Sequence, residues 1–412
     1  MADTGPYFMH PKYLSINDYN YDLPQDKIAM YPLKERDDSK LLVYSGNEIN
    51  EFHFRKLPAL IPGDAMLIFN DSKVIPARLI FRKETGAKIE VFCLEPDHPA
   101  TGIGTTGTAV WKCMVGGASR WKEPFLEKII PIDGQQVILK ATLIEKSNPF
   151  LIKFNWEPGH LPFYRVLDAA GLVPLPPYIK REMEEEDRIN YQTVYAENAG
   201  SVAAPTAGLH FTESVMTALE EKGISLEYLT LHVGAGTFKP VDAEQMEGHQ
   251  MHSEWIEVKR KSIERILNHK GPVIAVGTTS TRTLETLYWL GVKVMQGVNL
   301  KEIGLKQWDV YEKPLSDAKL ERSTALRALY DAMNNSGSDS LICQTSLLIA
   351  PGYDFRVVNG IITNFHQPKS TLLLLVAAAT GKSWRKIYDY ALNNDFRFLS
   401  YGDSSLITVS NG

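Results

Sequence analysis

The sequence predicts a mixed α/β protein interrupted by a small all-β domain. Three observations carry this. Pro272 to Val276 is an apolar run that feeds Gly277-Thr278-Thr279-Ser280 and then a helical stretch from Thr281 to Leu290. That is a buried strand, a turn and a helix, the building unit of α/β folds. From about Arg78 to Pro174 short apolar runs alternate with Gly, Pro and Asp turns, and no helix is predicted before Phe163. This is the texture of a small barrel or sandwich. Leu172 to Pro177 reads Leu-Val-Pro-Leu-Pro-Pro, stiff extended chain suited to returning from an inserted domain.

Taken in order, residues 1 to 20 read as a polar and aromatic arm. A helix is predicted over Asp26 to Tyr31, stopped by Pro32. Leu41 to Tyr44 and Glu48 to Phe52 flank Asn47 and form a hairpin. Ala65 to Phe69 is a buried strand. Ile89 to Leu94, Trp111 to Val115, Gln136 to Leu143 and Leu151 to Phe154 are the inserted strands, with Gly102 to Thr108 a loop among them. Ser201 to His210 has no clean period and reads as a loop. Thr212 caps a helix over Glu213 to Lys222, Gly223 stops it, and Ile224 to Val233 is a strand ending in Gly234-Ala235-Gly236-Thr237. Further helices are predicted at Lys259 to Asn268, Lys319 to Met333 and Thr371 to Thr380. Further strands are predicted at Leu341 to Ala350 and Tyr353 to Val358.

The chain has 412 residues, enough for two or three domains, with 44% apolar and 23% charged residues, as in an ordinary globular protein. A net charge of −5 argues against a general nucleic-acid coat but leaves room for a local basic patch. Lys369, Lys382, Arg385, Lys386 and Arg397, interleaved with Trp384, Tyr388 and Tyr390, are such a patch or a solvated helix face. Cys93, Cys113 and Cys343 form no CxxC pair, so neither a disulfide framework nor a zinc ribbon is expected. The N-terminus has no basic-then-apolar signal, and the most apolar run, Leu372 to Ala379, is too short to span a bilayer. The expected state is a cytoplasmic, soluble monomer.

The candidate chemistry lies between Gly200 and Pro240. Two small-residue loops, joined by one helix and one strand, carry His210 and His232. A helix followed by a strand reverses the chain, which would bring both histidines to one pocket with Thr206 and Gly236. The alternative is that they brace the loops. His249-Gln250-Met251-His252 lacks nearby carboxylate and cysteine ligands and is not read as a metal site. No Gly-x-Ser-x-Gly elbow occurs, so the hydroxyls fit hydrogen bonding to a sugar or amino acid better than acyl transfer. Gly277 to Ser280 precede a helix and suit a carboxylate or phosphate. Arg282 either pairs with a ligand carboxylate or with Glu285. Lys369 and Ser370 follow Asn364 and His366 and feed a helix N-terminus, as ligand contacts or as caps.

Several blocks resemble one family closely. They are Tyr21 to Pro24, Asn70 to Arg78, Pro174 to Ile179, Tyr191 to Ala196, Gly200 to Thr212, Thr230 to Phe238, Gly277 to Glu285, Thr363 to Leu373 and Ser400 to Asp403. In this order they are similar to the S-adenosylmethionine:tRNA ribosyltransferase-isomerases of the queuosine pathway. The resemblance implies a mixed α/β large domain (1–77 and 175–412) with an inserted small β-barrel domain (78–174). It implies that S-adenosylmethionine donates its ribosyl group to 7-aminomethyl-7-deazaguanine at the tRNA wobble position. Epoxyqueuosine forms, and adenine and methionine leave. No further cofactor and no metal is implied. The expected catalytic residues are His210 and His232. Substrate binding is expected from Thr206, Gly234, Gly236, Thr237, Gly277, Thr278, Thr279, Ser280, Arg282, Asn364, His366, Lys369, Ser370, Tyr401 and Asp403. The segment between Glu285 and Thr345 is read as longer than the family's, and the barrel as poorly matched. A non-catalytic RNA- or nucleoside-binding paralogue is the rival.

Overall fold

A computed structural model describes residues 10–97, 102–234 and 241–409. The chain opens with a hairpin of β1 (Lys40–Ser45) and β2 (Glu48–His53), then α1 (Leu57–Leu60), the buried β3 (Met66–Asn70) and the short β4 (Ser72–Val74). Gly46 and Asn47 both take positive φ in the two-residue turn of that hairpin, the backbone that matches strand twist. The predicted helix at Asp26 to Tyr31 is only a single turn at Gln25–Lys27.

Seven strands then build a separate antiparallel sheet: β5 (Arg78–Arg82), β6 (Lys88–Pro96), β7 (Thr108–Gly116), β8 (Leu126–Ile132), β9 (Gln135–Glu145), β10 (Phe150–Glu157) and, after α2 (Phe163–Ala170), β11 (Gly171–Leu172). Its order is β11-β5-β6-β7-β10-β9-β8. The end strands β11 and β8 do not pair, so the expected closed barrel is instead a curled, open sheet. Helix α2 lies in the opening, with Phe163, Val166 and Leu167 in the same core as Trp111, Phe154 and Trp156. Lys128 of β8 donates to the carbonyl of Ala170 at the helix end, 2.8 Å away. Strand β8 carries Pro131, which an edge strand tolerates because one side of it needs no ladder bond.

The remaining elements are α3 (Asp187–Asn190), β12 (Asn198–Ser201), α4 (Glu213–Glu221), β13 (Ser225–His232), β14 (Glu254–Lys259), α5 (Arg260–Asn268), β15 (Val273–Val276), α6 (Gly277–Met295), β16 (Gly304–Leu305), α7 (Arg322–Ser336), β17 (Ser340–Thr345), β18 (Gly360–Asn364), α8 (Thr371–Thr380), α9 (Ser383–Asn393) and β19 (Ser404–Thr408). Ten strands form the large sheet in the order β16-β17-β14-β13-β3-β15-β18-β19-β1-β2. At its centre β13, β3, β15 and β18 run parallel. Thr212 caps α4 as expected, its hydroxyl accepting from the Val215 amide. Tyr353 to Val358 is not a strand. The amides of Arg356, Val357 and Val358 donate to the buried carboxylate of Glu285 instead, so they are not available to a ladder.

Candidate active site

Ligand sites in α/β sheets gather beyond the carboxyl ends of parallel strands. Here the segments after β13, β15 and β18 meet in one cavity of about 80 Å³. Its walls include Ala203 to Ala207, Val233, Gly277 to Thr279, and Asn364 to Gln367 with Ser370. Helix α6 starts at Gly277 itself, so the expected Gly-Thr-Thr-Ser turn is the helix's first turn. Its amides have no intrahelical partner and present a positive dipole end. Gly277 has φ +90°, and an added Cβ would touch Thr279 Oγ1 and Ala207. Thr281 and Thr283 donate their hydroxyls back to helix carbonyls. The hydroxyls of Thr279 and Ser280 are buried without a partner among the described residues. Of these two, Thr279 lines the cavity.

His210 does not line this cavity. Its ring is buried, 4% exposed, and packs on Phe54. Asn364 donates its amide to the carbonyls of Leu399 and Ser400, so its oxygen faces His210 Nε2 at 3.2 Å. Nε2 therefore carries the proton, and Nδ1 accepts from the Ser39 hydroxyl at 2.8 Å. Burial holds the imidazole neutral, with its pKa lowered to about 4. With both nitrogens committed, His210 is a brace for Asn364 rather than a free base.

His232 stands apart. It lines a second cavity of about 330 Å³ with Gly234, between β13–β14 and the small sheet. Nδ1 is buried without a partner among the described residues, and burial lowers the ring's pKa. Gly200 has φ +145°, and a Cβ there would sit 2.7 Å from Nδ1. The expectation that both histidines share a cleft with Thr206 is thus corrected. Thr206 and Val233 line the first cavity, His232 and Val233 the second.

Other expected residues divide similarly. His366 and Ser370 line the first cavity. His366 Nε2 meets the Thr363 hydroxyl at 2.8 Å, and burial lowers its pKa to about 3. Ser370 caps α8 through the Leu373 amide. Lys369 is not among the residues lining that cavity and takes φ 53°. Tyr401 donates to Asp187, and Asp403 accepts from the amides of Lys40 and Arg397. These last two are buried braces. Arg282 does not line the first cavity and does not pair with Glu285. It forms a buried ion pair with Glu254 and donates to the Leu347 carbonyl. It lines a third cavity with His249 and His252. Gly236 and Thr237 lie outside the described residues. Among the described residues no group of three or more His, Cys, Asp or Glu side chains could hold a metal, and no helix is long and apolar enough to cross a membrane.

Sequence reasoning missed Ser39, Tyr178 and Trp255 as neighbours of these sites. Ser39 carries no local motif, and Tyr178, though inside the Pro174 to Ile179 block, is not singled out by it; each is placed by a partner far along the chain.

A family model described as "Queuosine biosynthesis protein" matches residues 16–310 and 322–407. The chain belongs to the queuosine biosynthesis protein family. Only residues 311–321 interrupt the match, so most of the segment between Glu285 and Thr345, and all of 78–174, is queuosine-family sequence. Curated relatives in this family include a Trichlorobacter lovleyi protein, 36% identical over 95% of this chain and 99% of its own length. One from Halothermothrix orenii is 38% identical over 96% of this chain and 100% of its own. Both are named S-adenosylmethionine:tRNA ribosyltransferase-isomerase. A solved Thermotoga maritima structure, titled S-adenosylmethionine tRNA ribosyltransferase, aligns over 95% of this chain and 99% of its own at 24% identity and a TM-score of 0.45.

Proposed function

We propose that this chain is an S-adenosylmethionine:tRNA ribosyltransferase-isomerase. It transfers and isomerises the ribosyl group of S-adenosylmethionine onto 7-aminomethyl-7-deazaguanine at the tRNA wobble position. Epoxyqueuosine forms, and adenine and methionine are released. The observation that carries this reading is the match along nearly the whole chain to curated relatives of that name. Nothing observed favours a non-catalytic binding paralogue. In the same reading S-adenosylmethionine is the co-substrate, no other cofactor or metal is needed, and the chain acts as a cytoplasmic monomer. The proposed division into 1–77 and 175–412 around 78–174 is supported by the separate small sheet.

The first cavity suits the donor. Thr206, the free hydroxyl of Thr279 and the first amides of α6 offer hydrogen bonds to ribose or to the methionine carboxylate. The sulfonium acidifies the neighbouring 5′ C–H, and a neutral base accepts that proton. With His210 committed on both nitrogens, His232 is the proposed acceptor. Charge that develops on the departing oxygen meets hydroxyl and amide donors already in place. The test is adenine release from S-adenosylmethionine in the presence of a tRNA bearing the precursor base. No adenine above background would end this reading.

A further inference from the structure

The second cavity is built differently from the first. Strand β14 places Trp255 and Glu257 on one face, both half-buried. Across the ladder His232 lies opposite Trp255, and Ile342 of β17 lies opposite Glu257. Ile342 is 57% exposed, unusual for a large apolar side chain at the middle of a sheet. Leu94 and Pro96 of β6, with Ile103 of the loop that follows it, line the cavity from the side of the small sheet. At the base is Trp111, only 1% exposed, whose indole N–H has no partner among the described residues. A buried donor left unpaired costs stability and calls for an explanation, of which a ligand that accepts from it is one. The Glu257 carboxylate has no hydrogen-bond or ion-pair partner among the described residues beyond the field it exerts on His232, whereas Glu95 pairs with Lys112 and Glu254 with Arg282.

We infer that this cavity receives the acceptor base, a flat nitrogenous ring carrying a primary ammonium, unstacked from its RNA strand. The inference rests on the proposed reading for the identity of that base. Apolar and indole walls suit the faces of a heterocycle drawn out of a stack. Glu257 supplies the counter-charge for the ammonium. Val233 belongs to both cavities, so a donor in the first and an amine in the second meet across one residue. His232 sits on the acceptor side of that shared wall. The reaction needs this adjacency: the ammonium gives up a proton, for which Glu257 is the carboxylate at hand, the freed amine nitrogen bonds to a carbon of the donor's ribose, and adenine and methionine leave in the overall reaction.

The test uses anticodon stem-loop RNAs carrying either the aminomethyl base or the same base with a methyl group in its place. Affinities for the full-length protein are compared. The parent should prefer the ammonium-bearing RNA by about tenfold or more, the worth of a hydrogen bond to a charged group. Glu257→Gln should reduce that preference to about twofold or less, by removing the charge assistance. Trp255→Ala should weaken both RNAs alike by about tenfold, the loss of one stacking platform. Both variants should bind S-adenosylmethionine as the parent does, which shows that they are folded. An ammonium preference that survives in Glu257→Gln, or unchanged RNA binding in Trp255→Ala, overturns the inference. Adenine release measured in parallel speaks to the proposed reaction alone, so the two readings fail separately.

Discussion

His210 and His232 come from look-alike surroundings, yet the fold gives them opposite fates. His210 closes one small-residue loop and His232 stands just before another, with one helix and one strand between the two loops. His210 is closed on both nitrogens by Ser39 and Asn364, residues 171 and 154 positions away. His232 keeps an unpartnered nitrogen over Gly200 and opens on the larger cavity. The difference teaches that a histidine's role is set by what the tertiary structure brings to its ring. Local composition cannot carry that information.

Removing His210 should have the largest effect on the fold. His210→Ala strands the buried Ser39 hydroxyl and Asn364 oxygen, so a loss of about 2–4 kcal/mol is expected. Urea unfolding would show it as a lower midpoint. The same histidine also predicts a pH dependence. Its folded pKa of about 4 lies below the ordinary 6.5, so the unfolded chain takes up a proton first. Its contribution is complete above pH 6.5 and is lost as pH falls through 6.5 toward 4. His210→Gln should flatten that part of the stability profile. A profile equally steep in the variant would show that other groups set it.

Next in size is the support under His232. Gly200→Ala puts a Cβ 2.7 Å from Nδ1 at a backbone angle that L-residues avoid, and should cost about 1–3 kcal/mol. His232→Ala itself should change stability by only about 1 kcal/mol or less, since no hydrogen bond to Nδ1 is lost. It should instead slow solvent exchange of hydrogen at the 5′ carbon of S-adenosylmethionine. If His232→Ala exchanges at the parent rate while His210→Ala does not, the comparison drawn above is inverted.

Much of the architecture was legible because it rests on local pattern. The hairpin around Asn47, the cap at Thr212 and the strand–helix junction at Gly277 follow from turn chemistry, capping and period. The misses have tertiary causes. Strand β8 contains a proline that only an edge position excuses. The run at Tyr353 to Val358 has strand composition, but Glu285 takes its amides. The sheet at 78–174 stays open because α2 occupies the space that strand pairing would have closed. Of the site, the residues lining the first cavity were found where they sit in strand-to-helix segments. The partners observed for Arg282, Tyr401 and Asp403 are Glu254, Asp187 and the Lys40 amide, contacts remote in sequence that no local pattern announces.

The smallest expected effect concerns the basic tail, and it extends the same distinction between committed and open side chains. Trp384 and Tyr388 are buried in the main core, so they are not free to stack on a nucleic acid. Arg385 donates to the Asp18 carbonyl and lies over Trp384. Lys386 donates to the Asn47 carbonyl, and Arg397 pairs with Asp403. Lys382 is exposed at the start of α9. A lysine that contacts one phosphate contributes about 0.7 to 0.9 to the slope of log affinity against log salt. Lys382→Ala should therefore reduce the slope for tRNA binding by up to about that amount. Arg397→Ala should leave the slope within about 0.2 of the parent, since its charge is already matched inside the protein. Filter binding across a salt series would measure both. If Arg397→Ala lowers the slope as much as Lys382→Ala, the tail meets RNA through side chains that the free protein holds in reserve.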